Sequence, residues 1–151
     1  MADIFWTPEL VAEQFEEAVD TLRRLPEERV RTARSGWPPI LYDFWEKYGQ
    51  EPARLRLGPP LSAAIDRMDI ALDWLRWLEP EDAKLVWARA EGQPWKAISW
   101  RFGLSVSTAQ RRWQYALSLV TWRLQGRAVP STWSRRGLVT RVSFVSSEKA
   151  C

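Results

Sequence analysis

Proline and glycine punctuate this chain at intervals that leave room for helices and little else. Ten prolines and seven glycines are spread over 151 residues. The stretches between them carry apolar side chains three and four residues apart, the spacing that puts them on one face of a helix. Thr7-Pro8-Glu9 reads as a helix start, with Thr7 as N-cap, Pro8 where a missing N–H costs nothing, and Glu9 at the positive end of the helix dipole. Val11, Phe15, Ala18, Val19 and Leu22 continue that helix until Pro26 closes it. A basic, turn-rich connector is expected from Glu27 to Pro39, then a short helix through Ile40, Leu41, Phe44, Trp45 and Tyr48 that ends at Gly49. After the connector GQEPARLRLGPP, Leu61, Ile65, Met68, Leu72 and Leu75 form a wide stripe with Trp74 and Leu78 on its flank. Pro80 opens the next helix, Gln93-Pro94 another, Gly103 stops that one, and Ser105 caps a long helix predicted to run to Leu124 before Gly126. No alternation of period two occurs before the tail. The expected fold class is therefore all-α.

Composition narrows the function. Apolar residues make up 46% of the chain, enough for a real core, and the apolar runs are short and broken by charge, so no transmembrane helix is expected. MADIFWTPEL has no basic region ahead of an apolar stretch, so no signal peptide is expected either. Most of the eleven tryptophans sit at core-compatible helical positions and read as large packing side chains. There is no histidine, and the single cysteine is Cys151. That combination argues against zinc fingers, histidine-based triads and iron–sulfur centres, and a cytoplasmic protein without cofactor is expected. Asp66, Asp69 and Asp73 share one helix face, but a solvated polar face accounts for them better than a metal site. No glycine loop of the kind that cradles phosphate is present, and an enzyme is the least supported class.

Charge is unevenly placed. Residues 1–80 hold 10 basic and 15 acidic side chains, a net of −5, whereas residues 81–151 hold 12 and 4, a net of +8. No acidic residue lies between Glu91 and Glu148, where Lys96, Arg101, Arg111, Arg112, Arg123, Arg127, Arg135, Arg136 and Arg141 all fall. A long tract without carboxylates favours a polyanion as partner.

Inside that tract, WKAISWRFGLSVSTAQRRW (Trp95–Trp113) has the parts of a helix-turn-helix. Gly103 supplies a residue that tolerates positive φ, and Ile98, Phe102, Leu104, Val106, Ala109 and Trp113 are expected to brace the turn. Ser107, Thr108, Gln110, Arg111 and Gln114 then lie outward on the first turns of the second helix, where such motifs read base edges. Glutamine can bond adenine and arginine guanine in a bidentate manner. Lys96, Arg101, Ser105 and Arg112 flank this face as candidate phosphate contacts. The same spacing would also serve an αα-corner inside a bundle; the acid-free tract and the Ser-Thr-Gln-Arg face favour double-stranded DNA.

The segment EPEDAKLVWARAEGQPWKAISWRFGLSVSTAQRRWQYAL, within Glu79–Leu124, resembles the fourth region of bacterial sigma factors and related regulators. It shares their feeder helix, their Ile-x-x-x-Phe-Gly-Leu-Ser-Val turn, and a threonine and arginine in the following helix. More broadly, Trp6–Leu124 resembles an uncharacterised family of small helix-turn-helix proteins encoded in phages and prophages, through WTPELV, TLRRLP, WPP…DFWEKYG and RMDIALDWLRWLEPEDAKLVWARAEG. The resemblance implies a phage-type DNA-binding protein. The sigma-factor regions that bind and melt the −10 element have no counterpart in the chain, which argues against a complete sigma factor.

Three segments are expected: a helical body over 1–78 with surface to spare for a homo-oligomer, a helix-turn-helix module over 79–126, and a basic tail over 127–151. In the tail, Leu138, Thr140, Val142 and Phe144 alternate with Val139, Arg141, Ser143 and Val145, which fits a lone strand; a disordered or loosely docked tail is the alternative. The leading function is a transcriptional regulator. The competing ones are a small-terminase-like packaging protein that assembles as a ring, which the strand-like tail would suit, and a protein that binds RNA polymerase through its sigma-like fold.

Overall fold

The computed structural model describes residues 4–25 and 58–150, which carry six helices and, among the described residues, no strand. These are α1 (Pro8–Arg24), α2 (Ser62–Leu75), α3 (Pro80–Ala90), α4 (Trp95–Phe102), α5 (Val106–Leu124) and α6 (Arg135–Ala150). The expected connector over 27–39, the short helix to Gly49 and most of the second connector lie outside the described residues.

Helix α1 begins as its caps dictate. Thr7 holds an extended backbone, and its hydroxyl accepts the Leu10 N–H at 3.3 Å, with Pro8 in the first turn. It ends because Leu25 precedes a proline, whose ring disfavours helical ψ in the residue before it; Leu25 has ψ 137°.

The main apolar cluster is built from Val11, Phe15 and Ala18 of α1, Met68, Ala71 and Trp74 of α2, Leu78, Val86 of α3, and Ala116, Leu117 and Val120 of α5. Trp74 is its hub, which corrects its expected place on the flank of the α2 stripe. Only 4% of it is exposed. Trp6 and Phe15 meet its ring edge-on, at centroid distances of 5.1 and 5.9 Å, the favourable geometry for aromatic pairs. Helix α2 is rotated so that Met68, Ala71 and Trp74 face α1, which leaves Leu61 and Ile70 in solvent. At the rim Arg67 donates twice to one Glu17 carboxylate oxygen, at 2.7 and 2.9 Å, tying α2 to α1. Asp66, Asp69 and Asp73 are exposed, and Asp73 pairs with Arg76 at 3.8 Å.

Two smaller clusters adjoin the first. Leu85, Ala88, Ile98 and Ala109 join α3, α4 and the start of α5. Trp122, Leu138 and Val142 join the end of α5 to α6, with Tyr115, Leu119, Val129, Trp133 and Val145 around them. The main cluster draws on residues from both sides of position 78, so the expected boundary between body and module runs through one core rather than between two.

The tail is helical, and the expectation of a strand is corrected. The Ser134 hydroxyl accepts the Gly137 N–H at 3.1 Å, opening α6 as an N-cap would. Leu138 and Val142, four residues apart, then reach Trp122 from one face. In a strand Phe144 would share their side; in the helix it is 69% exposed. Thr140, Ser143 and Ser147 return their hydroxyls to carbonyls four residues back. Contact with Trp122 thus overrides the β-propensity of the valines and threonine.

Phe15→Ala should destabilise the fold by about 3–5 kcal/mol, because it empties a fully buried aromatic site. Urea unfolding followed by tryptophan fluorescence measures this.

Candidate nucleic-acid interface

The turn between α4 and α5 is stapled from both sides. Gly103 adopts φ 64°, ψ 31°, the left-handed region that a glycine enters without steric cost. The Ser99 carbonyl accepts the N–H groups of both Gly103 and Leu104, the latter at 3.2 Å. The Ser99 hydroxyl donates to the Leu104 carbonyl. Sequence reasoning missed Ser99; its position four residues before a helix-ending glycine was the available signal. Ser105 then caps α5, accepting the Thr108 N–H at 3.2 Å and lying 2.8 Å from the Thr108 hydroxyl.

Below the turn, Ile98 and Ala109 are fully buried, with Phe102, Leu104, Trp95 and Trp113 around them. Trp95 and Trp113 pack edge-on at 5.5 Å. Val106 departs from expectation: it is 39% exposed, because the first residue of α5 lies beyond the reach of α4.

The expected base-reading residues divide into two stripes. Ser107, Arg111 and Gln114 are exposed and follow one another at four and three residues, with Gln110 half-buried at their edge. Thr108, Arg112 and Tyr115 lie on the neighbouring stripe, each half-buried. That second stripe faces a cleft of about 680 Å³ whose other wall is α6, through Arg135, Arg136, Val139 and Thr140. Arg111 and Gln114 also line it. Of the expected phosphate contacts, Lys96 and Arg101 are exposed on α4. Between them on the outer surface stands Trp100, 82% exposed. The Ser105 hydroxyl is engaged by the cap, and Arg112 pairs with Glu81 at 3.4 Å.

The nine cations of the acid-free tract are not equivalent. Arg101, Arg123, Arg127, Arg135 and Arg141 each lie over an aromatic ring, those of Phe102, Trp77, Trp122, Tyr115 and Trp133, at 4.3 to 5.6 Å from the centroid. Arg135 also reaches Glu79 at 3.7 Å. Of these nine, only Lys96, Arg111 and Arg136 have neither carboxylate nor ring for a partner among the described residues. A cleft of similar size at the ends of α1 and α3 mixes Arg23, Arg24 and Arg89 with Glu16, Asp20 and Glu91, so its charges offset one another.

The first turn of α3 supplies the counter-charges to the basic cleft. Glu79 and Glu81 are exposed, while Asp82 is buried. Burial pushes the Asp82 carboxyl above its ordinary 3.8; Arg135 and Arg112 oppose the shift, and Glu79 and Glu81 reinforce it.

Among the described residues no group of three or more acidic or cysteine side chains could hold a metal ion, and no helix is long and apolar enough to cross a membrane. The described residues are thus all-helical, and the longest of their helices presents a polar, cationic stripe beside a basic cleft. Residues 23–120 match a family described as a domain of unknown function (DUF6362), and the chain belongs to that family. No curated protein and no solved structure matches the chain.

Two outcomes follow. Gly103→Ala should cost about 1–2 kcal/mol, the penalty of a left-handed conformation for a residue with a Cβ, since nothing lies within 4 Å of the added carbon and the cost is purely one of backbone; thermal unfolding checks it. The Asp82 contribution has a definite sign. A raised folded-state value means that the fold binds this proton more tightly than the unfolded chain does. The unfolding free energy of the wild type relative to Asp82→Asn should therefore fall as pH climbs above 3.8 and flatten beyond the folded-state value. Paired urea titrations from pH 3 upward, read as that difference, test it; a flat or rising difference contradicts the assignment.

Proposed function

We propose that this protein is a sequence-preferring DNA-binding regulator that lays the first turns of α5 in the major groove as the second helix of a helix-turn-helix. The observation that carries this reading is the stripe of Ser107, Gln110, Arg111 and Gln114 on a helix whose opposite face is buried. The tightly stapled Gly103 turn between α4 and α5 supports it. Arg111 and Gln110 carry side chains that can pair bidentately with guanine and adenine. In this reading Lys96, exposed on α4, meets a phosphate and positions the helix without reading sequence. The likeness of Glu79–Leu124 to the fourth region of sigma factors, and of Trp6–Leu124 to phage-encoded helix-turn-helix proteins, supports the same reading and a role at a promoter or operator.

The packaging alternative leaned on a strand-like tail. That tail is helical and packed on α5, which removes the support it lent.

A binding selection on genomic fragments, followed by sequencing of the bound pool, tests the proposal. One site should be enriched from a background of random sequence. On that site Arg111→Ala should lose about 1–3 kcal/mol of discrimination against a substituted base pair, while Lys96→Ala should weaken every duplex alike. A pool without enrichment would refute the reading.

A further inference from the structure

Of the three cations of the acid-free tract that have neither carboxylate nor ring for a partner among the described residues, two, Arg111 on α5 and Arg136 on α6, line the same cleft. The cleft runs beside the reading stripe, and Arg111 belongs to both. A helix lying in the major groove, about 12 Å wide, has a sugar–phosphate backbone along each flank. A second helix packed against its side must therefore either block the groove or leave a slot for that backbone. Helix α6 leaves a slot of about 680 Å³, with Arg111, Arg112, Arg135 and Arg136 around it and Tyr115, Val139 and Thr140 between them.

We propose that this cleft grips one DNA backbone strand, with Arg136 on α6 taking a phosphate beside the groove that Arg111 reads, and that Glu81 and Glu79 hold Arg112 and Arg135 in reserve. This rests on the DNA-binding reading above and adds a second, C-terminal half to the interface. The carboxylates sit at 3.4 Å from Arg112 and 3.7 Å from Arg135, and both glutamates are largely exposed, so water and a phosphate can displace them. Displacement exchanges one anion for another at the guanidinium, so the latch lowers affinity for any duplex without changing which sequence is preferred. Charge complementarity selects the occupant: every ionised group that lines the cleft is an arginine.

The test is fluorescence anisotropy of full-length protein on one labelled duplex across a salt series, with thermal melts confirming that each variant is folded. Arg136→Ala should lower affinity roughly tenfold, as expected for one charge-assisted hydrogen bond. It should also flatten the slope of log affinity against log salt by about 0.9, the signature of one phosphate released. Arg136→Lys should restore most of that slope. Glu81→Gln should tighten binding, by freeing Arg112. If the wild type binds and Arg111→Ala weakens it while Arg136→Ala matches the wild type in affinity and slope, the cleft is not a backbone slot, and the α5 reading survives. Unchanged affinity in Glu81→Gln overturns the latch. If the wild type binds no duplex at any salt, both readings fall together.

Discussion

Three apolar clusters share one wall, and that wall is α5. Ala109 closes the cluster beneath the turn, Ala116, Leu117 and Val120 belong to the main core, and Trp122 anchors α6. Packed interiors deform little, so α5 cannot roll about its axis without disturbing all three. The face it turns to solvent is therefore as fixed as the face it buries. A site on such an element is held more precisely than one on a loop. The alanines at the contacts matter as much as the large residues, because they let α3, α4 and α1 approach the α5 backbone closely. Thr121, fully buried, satisfies its hydroxyl by returning it to the Leu117 carbonyl at 2.7 Å, so the polar atom costs the core little.

The tryptophans do two jobs. Trp74 and Trp113 supply core volume, whereas Trp77, Trp122 and Trp133 also offer ring faces to Arg123, Arg127 and Arg141. Nine cations with no carboxylate among them lie between Glu91 and Glu148. Rings accept the guanidinium without cancelling its charge, so the C-terminal half stays cationic while most of its arginines are spatially fixed. What remains uncommitted is concentrated near the first turns of α5 and α6.

Local chemistry was legible where it is self-contained. Thr7, Pro8, Pro80, Gly103 and Ser105 mark helix ends by caps and φ preferences that need no distant partner, and α5 runs from Val106 to Leu124 as its flanking signals indicate. Long-range packing was not legible. Trp74 became the hub of the core because α1 crosses α2 on that side, a fact that periodicity along α2 cannot contain. Residues 138–145 carry a period-two pattern that fits a strand and, equally, an i, i+4 pair that fits a helix; Trp122 decides between them. The exposed polar stripe could be drawn from spacing within α5. Its neighbour across the cleft could not, because the chain turns back between Gly126 and Ser134 before bringing Arg136 alongside Arg111.

Two side chains straddle the borders between clusters. Trp113 touches both the main core and the cluster under the turn, and Leu119 touches both the main core and the cluster beneath α6. Neither outer cluster can open without stripping contacts from a residue that the centre also needs. Partial openings are thereby raised towards the cost of unfolding the whole, and the molecule is built to melt as one cooperative unit. A cut near residue 78 would not release a miniature reader; it would take Trp74, Phe15 and Val11 away from the back of the helix that carries the stripe. The presentation of the α5 surface is inherited from all three clusters at once, and that surface and the core stand or fall in a single event.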